Sequence, residues 1–487
     1  MTQMLAIDQG TTNTKAVLVS AEGRVTAIGS SPMGVSSPRP GWVEQDPELL
    51  WDSVLSATQQ CLEQVHGARG GIAGVALSTQ RESVLAWHRV TGRPLGPVIG
   101  WQDVRTSDWC RDHTSNDDDR LVRARTGLRI DAMFSAPKIS WLLREGAAAS
   151  TPPGDVCIGT VDSWLVYRLT GGRRHVIEAG NASRTLLYDI VGLTWSPPLL
   201  DLFEIPAAVL PQVQPSNGDF GTTLDVTGID DGVPILAVLA DSHAALFGQG
   251  CTDVGSAKAT YGTGTSVMTP TATFVPGFSP VPSTLAWLTE EPTYAREGNI
   301  LSSGATLAWT AQLLELSVPE LTDLAATVPS AGSVTLLPAF TGLGAPHWDR
   351  DVRGVITQLD PNSDRAHLAR AAVDAVAHQV CDVVDIIDSD SPAPLATIRA
   401  DGGATASALL MQIQADLLGR PVEVADLPEI SALGAAGLAW RELGHTTPAR
   451  PAGRVITPRI DAATRTARRD HWRQEVQWLQ SRPTGDR

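Results

Sequence analysis

The chain has no CxxC pair and no regular cysteine spacing; its five cysteines, Cys61, Cys110, Cys157, Cys251 and Cys381, stand far apart. That excludes a disulfide framework and a thiolate zinc knuckle, and leaves buried thiols in a reducing compartment as the expectation. Long apolar runs are missing too, and none approaches the ~20 residues that a membrane-spanning helix needs. Basic residues are in deficit, with 37 Lys and Arg against 53 Asp and Glu and a formal net charge of -16. Nucleic acid as a bulk partner is thereby disfavoured, since phosphate backbones are held by clustered cations. A small phosphate-bearing anion is not, because local turns and a metal ion suffice to hold it. The N-terminus lacks a secretory signal pattern, with polar and acidic residues beginning by Asp8. These absences lead to the expectation of a soluble, cytoplasmic protein.

What is present begins with size. At 487 residues the chain predicts two or more domains, and 43% hydrophobic with 18% charged residues is ordinary for a globular protein. Two stretches in different halves share one design: an acid, glycines and threonines in a tight turn. The first is LAIDQGTTNTKAVLV, residues 5 to 19; the second is spread over LADSHAALFGQG (239 to 250) and SAKATYGTGTSVM (256 to 268). In the first, apolar residues flank a polar, Gly-containing turn, which predicts a β-hairpin. Such a turn offers backbone N–H groups and hydroxyls with no bulk in the way, which suits phosphate oxygens. Asp8 at its strand end suits a hydrated Mg²⁺, since hard cations prefer carboxylate oxygen. The same logic applies to Gly262-Thr263-Gly264 with Asp241 nearby. One such turn in each half predicts a nucleotide clamped between two related α/β domains.

Between the turns, strand and helix signals alternate. Asp46 is placed as an N-cap, Pro47 as the first helical residue and Glu48 as a dipole complement; Leu50, Val54, Ala57, Cys61 and Val65 then form one apolar stripe. Residues 71 to 80 predict a strand buried on both faces, and 84 to 101 a hairpin turning at Thr91-Gly92-Arg93-Pro94. The DHTSNDDDR segment (112 to 120) predicts a solvated loop. Residues 190 to 235, rich in Pro, Gly and Asp, predict the connection between domains. Helices are expected near 303 to 315, 363 to 388 and 404 to 418, and a charged amphipathic helix from Asp461 to Gln480, docked by Trp472 and Trp478.

Each chemically suggestive residue has a plain structural alternative. Asp241 opens a helix after an apolar strand, where the helix dipole favours its ionised form and a late hydroxyl proton finds an acceptor; it is equally placed as a simple cap. Arg81-Glu82 ends a strand at a sheet edge where ligand crevices form, and such a pair matches vicinal hydroxyls; a surface ion pair is the alternative. Trp101 supplies either an apolar wall or plain packing. Gly304 and Gly402-Gly403-Ala404 leave backbone exposed at helix starts, suited to a phosphate, a base or a ribose, or simply to a tight turn.

The motifs DQGTTNTK, GWVEQDP, STQRES, GWQDVRT, VDSWLVYRLTGG, NASRTLLYDI, ADSHAALFGQ, YGTGTS, FTGLGAPHWD, ADGGATAS and ALGAAGLA, over about residues 4 to 445, together resemble the FGGY family of carbohydrate kinases, and within it the glycerol kinases. The resemblance implies two RNase H-like, actin- and hexokinase-like α/β domains, 1–240 and 241–487, flanking a central cleft. It implies ATP, Mg²⁺ and transfer of the γ-phosphate to a terminal hydroxyl of glycerol or a short polyol. It implies Asp8 and Asp241 as metal-associated acids and Asp241 as general base. Thr11, Thr12, Asn13, Lys15, Thr263, Gly304, Gly403, Ala404 and Ser407 become nucleotide-binding positions, and Arg81, Glu82, Trp101, Met133, Asp241 and Ser242 substrate-binding ones. Met133 stands where the glycerol kinases have Tyr, Ser242 where they have Gln, and Ser266 where an aromatic shields the glycerol carbons. These departures imply a roomier pocket, suited to a tetritol or pentitol. The acidic segment TLDVTGIDDG (223 to 232) replaces a loop that binds a sugar bisphosphate regulator in some relatives, which argues against that feedback. The expected partner is a small-molecule polyol, with no nucleic acid and no membrane; a homo-oligomer, dimer or tetramer, is compatible with all of this. Two alternatives are kept: a ketose kinase such as a xylulokinase, which usually carries Met-His-Gly in place of Arg81-Glu82, and a non-catalytic actin-like ATP-binding module. A regulator of that kind is expected to carry a basic segment ahead of the first turn, where seven residues precede Asp8.

Overall fold

The computed structural model describes residues 2–65, 71–112, 115–274, 279–391, 394–425, 429–446 and 453–482. Strands Gln3–Gln9 and Asn13–Ser20 form the expected antiparallel hairpin, closed where Gly10 N–H donates to the Asn13 carbonyl at 3.0 Å. Val25–Pro32 pairs beside them in antiparallel fashion, while Ile72–Thr79 and Ile235–Ala240 add on the other side in parallel. The Pro47–Glu63 helix begins where expected: Asp46 accepts from the N–H of Glu48 at 2.8 Å and of Leu49 at 3.3 Å. Its Leu50, Val54, Ala57 and Cys61 are buried against this sheet, with Val65 partly so.

The second sheet repeats the plan. Ala257–Tyr261, Thr265–Thr271 and Pro292–Ile300 form an antiparallel meander extended by Ser283–Leu288, and Ile398–Asp401 and Val422–Val424 lie parallel on the opposite side. The Arg365–Asp390 helix covers one face with Val373, Val376, Val380 and Val384. Between the two sheets lie the helices Asp241–Gly248 and Ile430–Glu442. Their apolar residues meet Met4, Ala6 and Val17 of the first sheet and Met268 and Trp287 of the second. The helices touch backbone to backbone: a Cβ at Gly434 would fall on the Ala244 carbonyl, and one at Gly248 on that of Ile430. Two glycines thus set the spacing of this central layer.

Three expectations need correction. Residues 112 to 120 do not form one loop, because helices Ser107–Asp112 and Asn116–Thr126 occupy the flanking positions. Ser115 caps the second, accepting from Asp118 N–H, while Asp117, Asp118 and Asp119 complement the dipole and Gly127 ends it at φ 76°. A helix so well capped needs few apolar residues, which is why its charge run resembled solvent-exposed coil. Residues 190 to 235 are not a linker either. The Pro197–Leu202 helix and the turns after it bury Leu199, Phe203, Ile205 and Val209 in a packed cluster, and Gln212–Gln214 pairs with Val176–Glu178. The prolines shape a folded lobe rather than spacing two of them. Finally, the Ala462–Gln480 helix docks through Trp472, whose indole N–H donates to Asp382 at 2.8 Å, whereas Trp478 is exposed. All five cysteines are buried thiols. Among the described residues no helix is long and apolar enough to cross a membrane.

Candidate active site

A cleft of about 410 Å³ opens where the two turns approach each other. From the first half it is walled by Thr11, Thr12, Arg81, Glu82, Trp101 and Met133, and from the second by Asp241, Ser242, Thr263 and Ser266. The register explains the convergence. Gln9, Thr79 and Ala240 end adjacent parallel strands, so the loops that follow them open at one sheet edge, with Asp8 and Ser78 one residue before it.

The first turn is held from below by two buried glutamines. Gln45 donates to the Thr11 carbonyl at 2.7 Å, and Gln80 donates to Gln9 and Gln45, each at 3.0 Å. Trp101 indole N–H donates to the Thr11 hydroxyl at 3.0 Å, tying the apolar wall to the turn. Asp8 accepts from Ser78 at 2.6 Å, and burial, reinforced by the nearby charges of Asp241 and Glu429, pushes its carboxyl from 3.8 up to about 7. The second turn is held by backbone: Ser303 N–H and Ala305 N–H both donate to the Thr263 carbonyl, and Gly304 N–H donates to that of Gly262, each at 3.0 Å. Here Gly304 has no room for a side chain, since its Cβ would strike the Gly262 carbonyl. A third turn lies alongside, because Thr260 pairs with Asp401. There Gly402 at φ 95° sits 2.5 Å from the Tyr261 carbonyl by its would-be Cβ, whereas Gly403 faces open space.

Asp241 is the first residue of its helix, with Ala240 at the cap position. Its carboxylate, 38% exposed to the cleft, accepts from Ser242 N–H at 2.6 Å and lies 3.4 Å from Arg81 Nε. The Ser242 N–H at the helix start favours the ionised form, but the net shift is upward. Desolvation comes first and raises its pKa above the ordinary 3.8, against Arg81, which lowers it; water in the open cleft moderates the shift.

Arg81 and Glu82 are buried, which excludes the surface-pair alternative, yet they hold each other only at 3.9 Å. Arg81 is instead gripped by Glu297, Nη1 to Oε2 and Nη2 to Oε1, both at 2.7 Å; Glu82 accepts from Arg184 Nε at 2.7 Å. Arg184 and Glu297, the partners of this pair, are not marked as such in the sequence. The NASRT motif contained the first, but nothing local marks Glu297, an acid within a strand. Other expected positions are already engaged. Lys15 pairs with Glu429 at 2.7 Å, Asn13 donates to Ser30 at 2.8 Å, and Ser407 caps the Ala408–Leu418 helix through Leu410 N–H. Ala404 packs beside the second core.

Among the described residues no group of three or more acids, histidines or cysteines forms a metal cage. Two carboxylates lie near the turns: Asp8, buried and close enough to feel the charge of Asp241, and Asp241 itself at the cleft. That donor set fits Mg²⁺, which keeps waters and phosphate oxygens and takes one or two carboxylates.

Comparison with known proteins matches residues 3–248 to the N-terminal domain of the FGGY family of carbohydrate kinases and 257–443 to its C-terminal domain. A glycerol kinase of Alkalilimnicola ehrlichii is 42% identical, covering 98% of both chains. An apulose kinase of Pectobacterium atrosepticum is 44% identical over 91% of this chain and 90% of its own. Among solved structures, the glycerol kinase of Plasmodium falciparum with ADP superposes with a TM-score of 0.89 at 28% identity, covering 99% of each.

Proposed function

The chain belongs to the FGGY family of carbohydrate kinases, and from that premise we propose that it uses ATP to phosphorylate a terminal hydroxyl of glycerol or a closely related short polyol. The observation that carries the reading is the meeting of Arg81, Glu82, Trp101 and Asp241 in one cleft with the Gly262–Gly264 turn as its far wall. Arg81 and Glu82 donate to and accept from vicinal hydroxyls, and Trp101 covers the carbon chain. Asp241 receives the hydroxyl proton. Its raised pKa suits that task, because a base works best when its pKa approaches the working pH. The transition state is loose, so the proton leaves late and positioning dominates. Thr11, Thr12 and Thr263, with the backbone of both turns, hold the phosphates; Gly304 and Gly403 keep side chains away from them. Asp8 and Asp241 would hold Mg²⁺, which when bound neutralises charge on the phosphate oxygens. The proposal divides the chain at 240/241, with the first turn and polyol clamp in one part and the base and second turn in the other. A cytoplasmic location goes with it, supported by five buried thiols.

A sugar acceptor is the second reading. It is favoured by the 44% identical apulose kinase and by Ser242 and Ser266, whose short side chains leave the cleft wide. ADP release measured side by side with glycerol, erythritol, the threitols, xylitol, ribitol and xylulose distinguishes the two. A polyol leading the ranking supports the proposal, and a four- or five-carbon one supports the roomier pocket. A ketose leading it replaces the proposal by the second reading.

A further inference from the structure

The cleft is lined by Arg81 and Glu82, but neither holds itself in place, and the residues that hold them lie outside its lining. An arginine side chain carries five N–H donors on a rotatable stem, so its usefulness as a clamp depends on which edge it presents. Glu297 takes both terminal nitrogens of Arg81 in a two-pronged grip, each at 2.7 Å, which sets the plane of the guanidinium. The edge left over carries Nε, and it faces Asp241 Oδ1 at 3.4 Å. Arg184 completes the frame, reaching Glu82 at 2.7 Å and Glu297 at 3.1 Å. Ser266 donates to the Oε1 of Glu297 at 3.0 Å, so that oxygen has two partners. Glu297 is fully buried and Arg184 is 1% exposed.

We propose that Glu297, a strand residue of the second sheet, is the positioning residue of the acceptor clamp: with Arg184 it aims Arg81 and Glu82 into the cleft without touching the substrate itself. This rests on the acceptor-alcohol reading above. Within the cluster two guanidinium groups face the carboxylates of Glu82 and Glu297, and Asp241 at the cleft edge adds a third negative charge. Replacing Glu297 by an amide puts an N–H₂ against an arginine N–H, which forces Arg81 to turn. The nucleotide side, built from the turns, meets this frame at its rim, through Ser266 on Glu297 and Asp241 beside Arg81.

The test is steady-state ADP release with the acceptor that the wild type prefers, varied against ATP and then reversed, on Glu297→Gln, Glu297→Asp and Arg184→Lys. Thermal melting is recorded for each, because removing one member of a buried ion pair can prevent folding. For Glu297→Gln the acceptor KM should rise about tenfold, the cost of a misdirected charge-assisted hydrogen bond, with the ATP KM nearly unchanged. Glu297→Asp keeps the charge but shortens the reach, and Arg184→Lys keeps a cation that cannot bridge both carboxylates; both should shift the same constant by a smaller factor. They decide the matter if the amide variant does not fold. Equal changes in both KM values, or a loss of kcat alone, would overturn the role of Glu297 while leaving the function standing. A wild type that neither binds nor phosphorylates any acceptor alcohol would overturn both.

Discussion

The two glycine-threonine turns resemble each other in sequence and differ in how they are built. The first is a device of side chains. Asp8 carries a desolvated carboxylate, Gln45 and Gln80 support the loop from below, and Trp101 fastens Thr11 from the side. The second is a device of backbone, with three N–H bonds running from residues 303 to 305 into the carbonyls of 262 and 263, and glycines pressed too close for any Cβ. One turn therefore brings charge that can be titrated, and the other brings rigid donors that cannot. Asp241 comes from a neighbouring helix start rather than from the second turn itself. The pair thus has a tunable side and a fixed side.

The contrast can be tested from both sides. Asp241→Asn should have the largest effect, lowering kcat by about 10³ while leaving the ATP KM nearly intact, as read by ADP release; general-base contributions are of that order. Near-normal turnover would mean that the base lies elsewhere. Next is the fixed side. Gly304→Ala drives a methyl into the Gly262 carbonyl, and should cost about 1–3 kcal/mol of stability together with nucleotide affinity, because backbone cannot yield as a side chain does. Gly403→Ala, with nothing within 4 Å, should leave the melting temperature unchanged and weaken only ADP binding, measured by calorimetry. If Gly403→Ala leaves ADP binding intact, the nucleotide does not approach that turn.

The tunable side should give the smallest and most informative effect. Asp8 is held at about 7 in the folded chain against an ordinary 3.8, so the unfolded chain releases its proton first as pH rises. Its contribution to stability is full below 3.8 and is lost as pH climbs through about 7, in the nucleotide-free protein. Activity should run the opposite way, rising through about 7 if the ionised form is the one that works. Asp8→Asn should flatten the melting-temperature profile across that window, and a profile as steep as the wild type's would assign the titration to another group.

Much of the candidate cleft is legible in the chain because its signals are local. A cap such as Asp46 before Pro47 acts on the next three residues, and the Asp8–Asn13 turn is closed by its own backbone. Arg81, Glu82, Trp101 and Asp241 were singled out at strand and helix ends, where sheets open their crevices. The failures were of another kind. The helix Asn116–Thr126 carries a charge run that its Ser115 cap makes stable, and the prolines of 190 to 235 read as a spacer because their burial depends on partners far away. The partner of Lys15 is Glu429, more than four hundred positions along the chain, which no local signal marks.

Strand and helix periodicity, capping chemistry and the glycine turns were determined by the sequence itself, because each acts between residues within reach along the backbone. Which charges face each other was decided only by tertiary structure. Glu297 grips Arg81 from another sheet, Arg184 grips Glu82, and burial raises the proton affinity of Asp241. Desolvation and ion pairing depend on what folding brings into the same few ångströms, and no spacing along the chain records that.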